Sequence, residues 1–346
     1  MPERLVRCCP YQPRRRNPVA LHPSSHYVST AIASPANVGR VYLQLLLVMA
    51  AWGVNLVAVK YLTFHMDVQV VAAVRIVVAF VAVSAILLWR LHGVPRLSLR
   101  QFGWLACAGL LVVYAHQILL VSALRLTPAA NATLIMATSP LFSVVLAAFF
   151  YRERLTASRI GGAALGLGGV ALVVAGGDGV LASVGRGDVL ALCAVIVFVI
   201  GGLIIQRVSR ALDPLTILWY MYLVGAVTLS AHAALSPATY LASSWTLEPW
   251  PWLVVLFSSV IASGVSNLLW NAGIARLGMS RAAMFVNWLP IFGLLAAAVF
   301  LGERITALHF AGLACVLSGT WLGLRTAPAP ATEQADARRP APARRA

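Results

Sequence analysis

Charge is the scarcest property of this sequence. Of 346 residues only 10% are Asp, Glu, Lys or Arg, and only 10 are acidic, whereas an ordinary soluble domain is about 25% charged. With 60% hydrophobic residues, the soluble class is excluded. The acidic residues (Glu3, Asp67, Glu153, Asp178, Asp188, Asp213, Glu248, Glu303, Glu333 and Asp336) all fall in polar connections, in the tails or at the ends of apolar runs, so no carboxylate sits at a run's midpoint. Cysteine is equally uninformative. Cys8, Cys9, Cys107, Cys193 and Cys315 have no metal-ligand spacing, and the adjacent pair fits a reduced tail. GxxxxGK[ST], HExxH, GxSxG and CxxC are all missing, which leaves no enzyme class a foothold and calls for no cofactor. Gly166 to Ala171 spells a dinucleotide fingerprint, but no strand precedes it and it lies in an apolar run.

What fills the chain instead is apolar runs near 20 residues, each long enough to cross a hydrocarbon core of about 30 Å. Ten are read, at 41–60, 68–90, 101–123, 128–150, 159–176, 188–207, 214–235, 251–274, 280–301 and 308–324. With the N-terminus inside and sides alternating, 21 Lys/Arg fall on cytoplasmic segments and four outside (Lys60, Arg125, Arg186, Arg304), with Arg75 inside a span. The positive-inside rule then sets both termini in the cytoplasm of a cell inner membrane. The net charge of +16 needs no nucleic acid; basic rims face anionic lipid headgroups. Residues 1–40 and 326–346, rich in Arg, Pro and small or polar residues, read as disordered tails, and no cleavable signal peptide is evident.

One stretch occurs twice. Ser139 to Leu172 reappears as Leu289 to Leu322, and from Pro140 and Pro290 onward the copies share 14 of 33 positions, including Glu153-Arg154 and Glu303-Arg304. A period this long indicates a duplicated half rather than a solenoid. Five spans per copy is an odd number, so the halves insert in opposite orientations, the geometry that exposes one central site alternately to either side.

Trp52-Gly53 leading to Lys60, Arg75 in the second span, and a Pro followed by Gly-Glu-Arg-(Leu/Ile)-Thr in both halves resemble the ten-span EamA group of the drug/metabolite transporter superfamily; Arg152 replaces the first-copy Gly. The resemblance covers about residues 41–325. It implies exporters of amino acids, nucleobases, other metabolites or toxic organic compounds that run without ATP.

Few polar residues lie within the spans, and these are the candidate site. His116 is the best titratable group, its unperturbed pKa of about 6.5 letting it change charge in the working range, with His232 nearer a span end. After a one-residue shift of register His116 pairs with Asn267 in the second half. Two readings stand for the pair: pore lining, or interhelical packing. Arg75 is expected to face a cavity or a carboxylate, or to cap the carbonyls ending span one, because charge in lipid is costly. Lys60 either joins it in a positive vestibule or snorkels to headgroups. Pro140 and Pro290 should kink their helices and free the carbonyls of Met136 and Val286. Asn287 and Trp288 beside the second kink would hold a planar or amphipathic solute, with Asn55, Trp270 and Asn271 as additions. Small residues every fourth position, Gly162/Gly166 and Ala311/Cys315/Gly319/Gly323, suggest close helix contact between halves or in a dimer.

The expected architecture is an all-α integral membrane protein of ten transmembrane helices in two inverted five-helix repeats, 41–176 and 187–325. The expected activity is secondary transport, in the sense of export, of a small organic solute, by a monomer or homodimer. An uncoupled facilitator, a lipid-linked sugar carrier and, in another class, a membrane receptor or assembly factor are the alternatives.

Overall fold

The computed structural model describes residues 35–151, 157–175, 185–241 and 245–324. Among these the chain is helical, with no strand. Helix α1 spans Pro35–His65 and α2 spans Val68–Leu91. Helix α3 runs over Leu99–Leu126, and α4 is split into Ala129–Met136 and Ser139–Tyr151. Then come α5 (Ala157–Ala175), α6 (Arg186–Val208) and α7 (Pro214–Leu235). Helices α8 (Pro249–Leu277), α9 (Met279–Leu301) and α10 (Ala307–Leu324) complete the bundle. Eight of these are long and apolar enough to cross a membrane, whereas α5 and α10 contribute shorter apolar stretches, Ile160–Gly169 and Ala307–Gly319. The ten expected spans therefore resolve into eight full-length candidates and two short ones. Helix α1 begins six residues before its expected span, and Pro35 in its first turn is tolerated because the N–H that proline lacks would have no helical partner there.

Scarce acidic residues serve helix ends. Asp67 accepts from Gln69 N at 3.0 Å at the start of α2, and Asp213 accepts from Leu215 N at 3.0 Å at the start of α7. Asp188 accepts from Gly185 N and from Thr127 Oγ1, at 3.0 and 2.6 Å. Glu303, in the loop before α10, reaches across to α4 and accepts from Ala129 N and Ala130 N at 2.9 and 3.0 Å. Each of these carboxylates meets the partial positive charge of a helix N-terminus or the N–H groups left unpaired there. Glu153 and Arg154, the first copy of the Glu-Arg pair, lie outside the described residues.

Helix contacts occur in couples related by the five-helix shift. Helix α1 packs on α9 as α6 packs on α4, and α3 packs on α6 as α8 packs on α1. Likewise α3 meets α7 as α8 meets α2, while α2 with α7 and α5 with α10 each join a helix to its own counterpart. Helices α5 and α10 meet through glycine. A Cβ on Gly319 would stand 2.5 Å from Gly162 O and 2.7 Å from Gly166 N, and Gly162, Gly166 and Gly319 are buried where the two helices meet, whereas Ala311 of the same small-residue stripe is exposed. Outward, Phe149, Leu295, Val299, Phe300 and Phe310 are exposed, as lipid-facing side chains are.

Replacing Gly319 by Leu is expected to force α5 and α10 apart. Overpacking costs about 1 to 3 kcal/mol, so the thermal unfolding temperature of the purified variant should fall clearly; an unchanged value would show that this seam is not close-packed.

Candidate functional site

Two helices depart from α geometry at equivalent places. Residues Gly109–Ala115 of α3 and Phe257–Val265 of α8 are π-helical, and the hydrogen bonds His116 N to Leu111 O and Ser266 N to Ile261 O close each segment. The wider turn shifts everything after it by one residue, about 100° of rotation. His116 and Asn267 follow directly, and both line a cavity between the helices. That cavity, about 70 Å³, has room for a few waters. Its walls come from α1–α4 and α6–α9, and not from α5 or α10.

The α8 segment is the hub of the polar contacts. A π turn leaves carbonyls without their α-helical donors, and here side chains supply them. Trp52 Nε1 donates to Ala262 O at 3.0 Å, Tyr222 Oη donates to Ser263 O at 2.6 Å, and Asn267 Nδ2 makes a longer contact to Ala262 O at 3.4 Å. Arg75, 1% exposed, donates from Nε to Ser258 Oγ at 2.5 Å, from Nη1 to Gln117 Oε1 at 3.1 Å, and from Nη2 to Ser263 Oγ at 3.3 Å. Ser258 Oγ in turn donates to Asn55 Oδ1. All of Arg75's partners are neutral, and no carboxylate among the described residues pairs with it. It therefore faces the cavity, held by hydroxyls and an amide, and does not cap α1.

An aromatic group lines the same cavity. Phe198 and Trp270 stack with centroids 5.8 Å apart, Trp52 meets Trp270 at 5.1 Å and Phe198 edge-on at 6.0 Å, and His116 lies 5.3 Å from Phe198. His116 Nδ1 is 3.0 Å from Ala194 O. A carbonyl only accepts, so Nδ1 carries the proton and Nε2 is the nitrogen left for the cavity. His232 is engaged elsewhere, 3.0 Å from the Tyr114 hydroxyl.

Several expected residues stand apart from this cavity. Asn287 and Trp288 do not line it, and Trp288 is 47% exposed. The reason is local: Met284–Trp288 form a 3₁₀ turn at three residues per turn, which puts Val286 and Leu289 on the cavity side instead. The α-helix is interrupted at both prolines, Pro140 and Pro290 standing second in the new helical pieces. The carbonyl of Met136 accepts from Ser139 Oγ at 2.5 Å. Lys60 neither snorkels nor joins Arg75. Its Nζ donates to Leu124 O and Thr127 O, at 3.1 and 2.7 Å, and stands 3.9 Å from Glu303, where a cation complements the carbonyl end of α3. Arg304 beside it is exposed. Lys60, Thr127, Asp188 and Glu303 together tie α1, α3, α4, α6 and the loop before α10 at one end of the bundle.

Gln117, Phe198, Tyr222, Ser258 and Ser263 are absent from the expected site. A run of serines at 258, 259, 263 and 266 in an otherwise apolar span was the available signal, and it reads equally as packing. Nothing local marks the π turns.

Comparison with known proteins follows the two-half organisation. The EamA-like transporter family matches residues 39–175 and again 185–325. A Salmonella typhimurium protein named probable amino-acid metabolite efflux pump is 26% identical over 285 residues, covering 81% of this chain and 93% of its own length. A Streptantibioticus cattleyicolor protein named probable terminal-alkyne amino-acid exporter is 27% identical over 237 residues, covering 66% and 75%. A solved structure superposes with a TM-score of 0.63 at 19% identity, over 82% of this chain and 95% of the other, a likeness of fold.

Tyr222→Phe removes the hydroxyl that serves Ser263 O and leaves the ring in place. A stability loss of about 1 kcal/mol is expected, read as a lower unfolding temperature in detergent; no change would mean that this carbonyl has another donor.

Proposed function

Since the chain belongs to the EamA-like transporter family, we propose that it is a secondary transporter exporting a small organic solute across the cell membrane by alternating access. The observation that carries this reading is the cavity itself. It is central, it is walled by helices of both halves, and each half contributes a polar side chain that follows a π turn, His116 in one and Asn267 in the other. Two relatives, named probable amino-acid metabolite efflux pump and probable terminal-alkyne amino-acid exporter, favour the outward direction.

Ten helices in two inverted halves, 41–176 and 187–325, are part of the proposal. The coupled helix contacts support it, as does the 21-to-4 bias of Lys and Arg toward one side. In this arrangement the Lys60–Glu303 tie closes the outer end, and separating it opens the cavity outward. Proton linkage, if the solute moves uphill, runs through His116, since among the described residues lining the cavity the remaining ionisable groups are Arg75 and Tyr222, and Tyr222 donates its proton to a carbonyl. Flux into proteoliposomes against a panel of amino acids, nucleobases and cationic dyes tests the function directly; a protein that moves none of them is not the exporter described.

Two further outcomes are expected. In a cysteine-free background, Arg304→Cys should react with an impermeant thiol reagent added outside intact cells, and Arg210→Cys only after the membrane is opened. Labelling of both from the same side contradicts the inverted arrangement.

His116→Asn copies the symmetry mate, keeping hydrogen bonding and removing titration. This variant should equilibrate solute yet lose uphill transport driven by a pH gradient. Uphill transport at the wild-type level excludes His116 as the coupling group, and a wild type indifferent to pH gradients is a facilitator.

A further inference from the structure

We propose that Arg75 and Asn271 form a carboxylate subsite, so that the solute is a small organic anion whose planar or apolar body rests against Trp52, Phe198 and Trp270. The inference rests on the transport reading only for the word solute; the site is argued from donors.

A guanidinium carries five N–H groups. Ser258, Gln117 and Ser263 take three of Arg75's. Two remain without a partner among the described residues, one on each terminal nitrogen, and a carboxylate has an oxygen to offer each. Its charge is equally unmet. A buried charge is normally paired, yet Asp67, Asp188, Asp213 and Glu303 are engaged with backbone N–H groups, and Glu248, exposed at the start of α8, forms no ion pair with Arg75.

Asn271 supplies an independent observation. It is 2% exposed, lines the same cavity, and its Nδ2 has no hydrogen-bond partner. A buried donor left unpaired is costly unless something arrives to accept from it. Both vacancies are donor vacancies, and they border one space. An ammonium or another guanidinium would add donors where acceptors are wanted and meet the Arg75 charge with its own. A carboxylate supplies acceptors and the opposite charge together, and the three aromatic rings lining the same cavity suit the rest of such a molecule.

The test measures binding apart from flux. Purified protein in lipid nanodiscs is titrated with three matched pairs: phenylacetate and phenylacetamide, L-phenylalanine and its amide, L-leucine and its amide, with inorganic phosphate as a further probe. At least one carboxylate should bind about tenfold or more tightly than its amide, the factor that one charge-assisted hydrogen bond supplies. Arg75→Gln should abolish that preference. Gln117→Glu keeps Arg75 and sets a carboxylate on the oxygen now 3.1 Å from Nη1, so it should abolish the preference in a protein whose charge is better paired than the wild type's. No carboxylate preference in the wild type, a preference surviving in Gln117→Glu, or phosphate binding ahead of every carboxylate overturns the subsite. The same solutes in proteoliposomes separate the two readings: flux without carboxylate preference sinks the subsite alone, and carboxylate-selective binding without flux upholds it while sinking the transporter.

Discussion

A guanidinium buried in a lipid-soluble protein is the constraint around which the centre of this bundle is arranged. Arg75 is 1% exposed, and it has no carboxylate among the described residues to balance it. Its position is tolerable because two serines and a glutamine direct their oxygens at it. Two of those oxygens belong to one turn of α8, and that turn is where the helix widens. A π segment holds surplus carbonyls, and donors from α1 and α7 close on them. The cluster thus joins five helices, α1, α2, α3, α7 and α8, around a single irregular turn, and the cavity lies against it.

The equivalent turn in α3 is not a copy. There the π segment presses its apolar side chains on glycines: a Cβ at Gly109 would meet Met221 O at 2.9 Å, and Gly201 and Gly225 give way to Val112 and Val113. One half therefore contributes close packing and the other a polar clamp, although both turns end by delivering a polar side chain, His116 or Asn267, to the same cavity. Duplication supplied the geometry twice, and the two copies have diverged in what they hold.

Much of this was legible before the structure because polar atoms are expensive in lipid. Arg75, His116, Asn267, Asn55 and Trp270 stood out against an apolar background, and all five line the cavity. The apolar runs placed the helix ends to within six residues, the largest departure being the start of α1 at Pro35. The misplacements share a cause. Asn287 and Trp288 were expected inward on the assumption of a kinked α-helix, but a 3₁₀ turn has a different phase. Lys60 lay at a span end, and only the fold brings the carbonyls of Leu124 and Thr127 within its reach. Ser258 and Ser263 were hidden among small residues whose hydroxyls ordinarily bond their own helix, and a π turn, having no local sequence signature, could not be anticipated. Tertiary contacts settle these phases, and periodicity alone does not carry them.

The most direct measurement is an experimental structure of the protein with a bound carboxylate solute. The account predicts solute density in the central cavity, its carboxylate within hydrogen-bonding distance of Arg75 Nη1 and Nη2 and of Asn271 Nδ2, and its body against Trp52, Phe198 and Trp270. Solute bound elsewhere, with Arg75 still enclosed by Ser258, Gln117 and Ser263 alone, would contradict it.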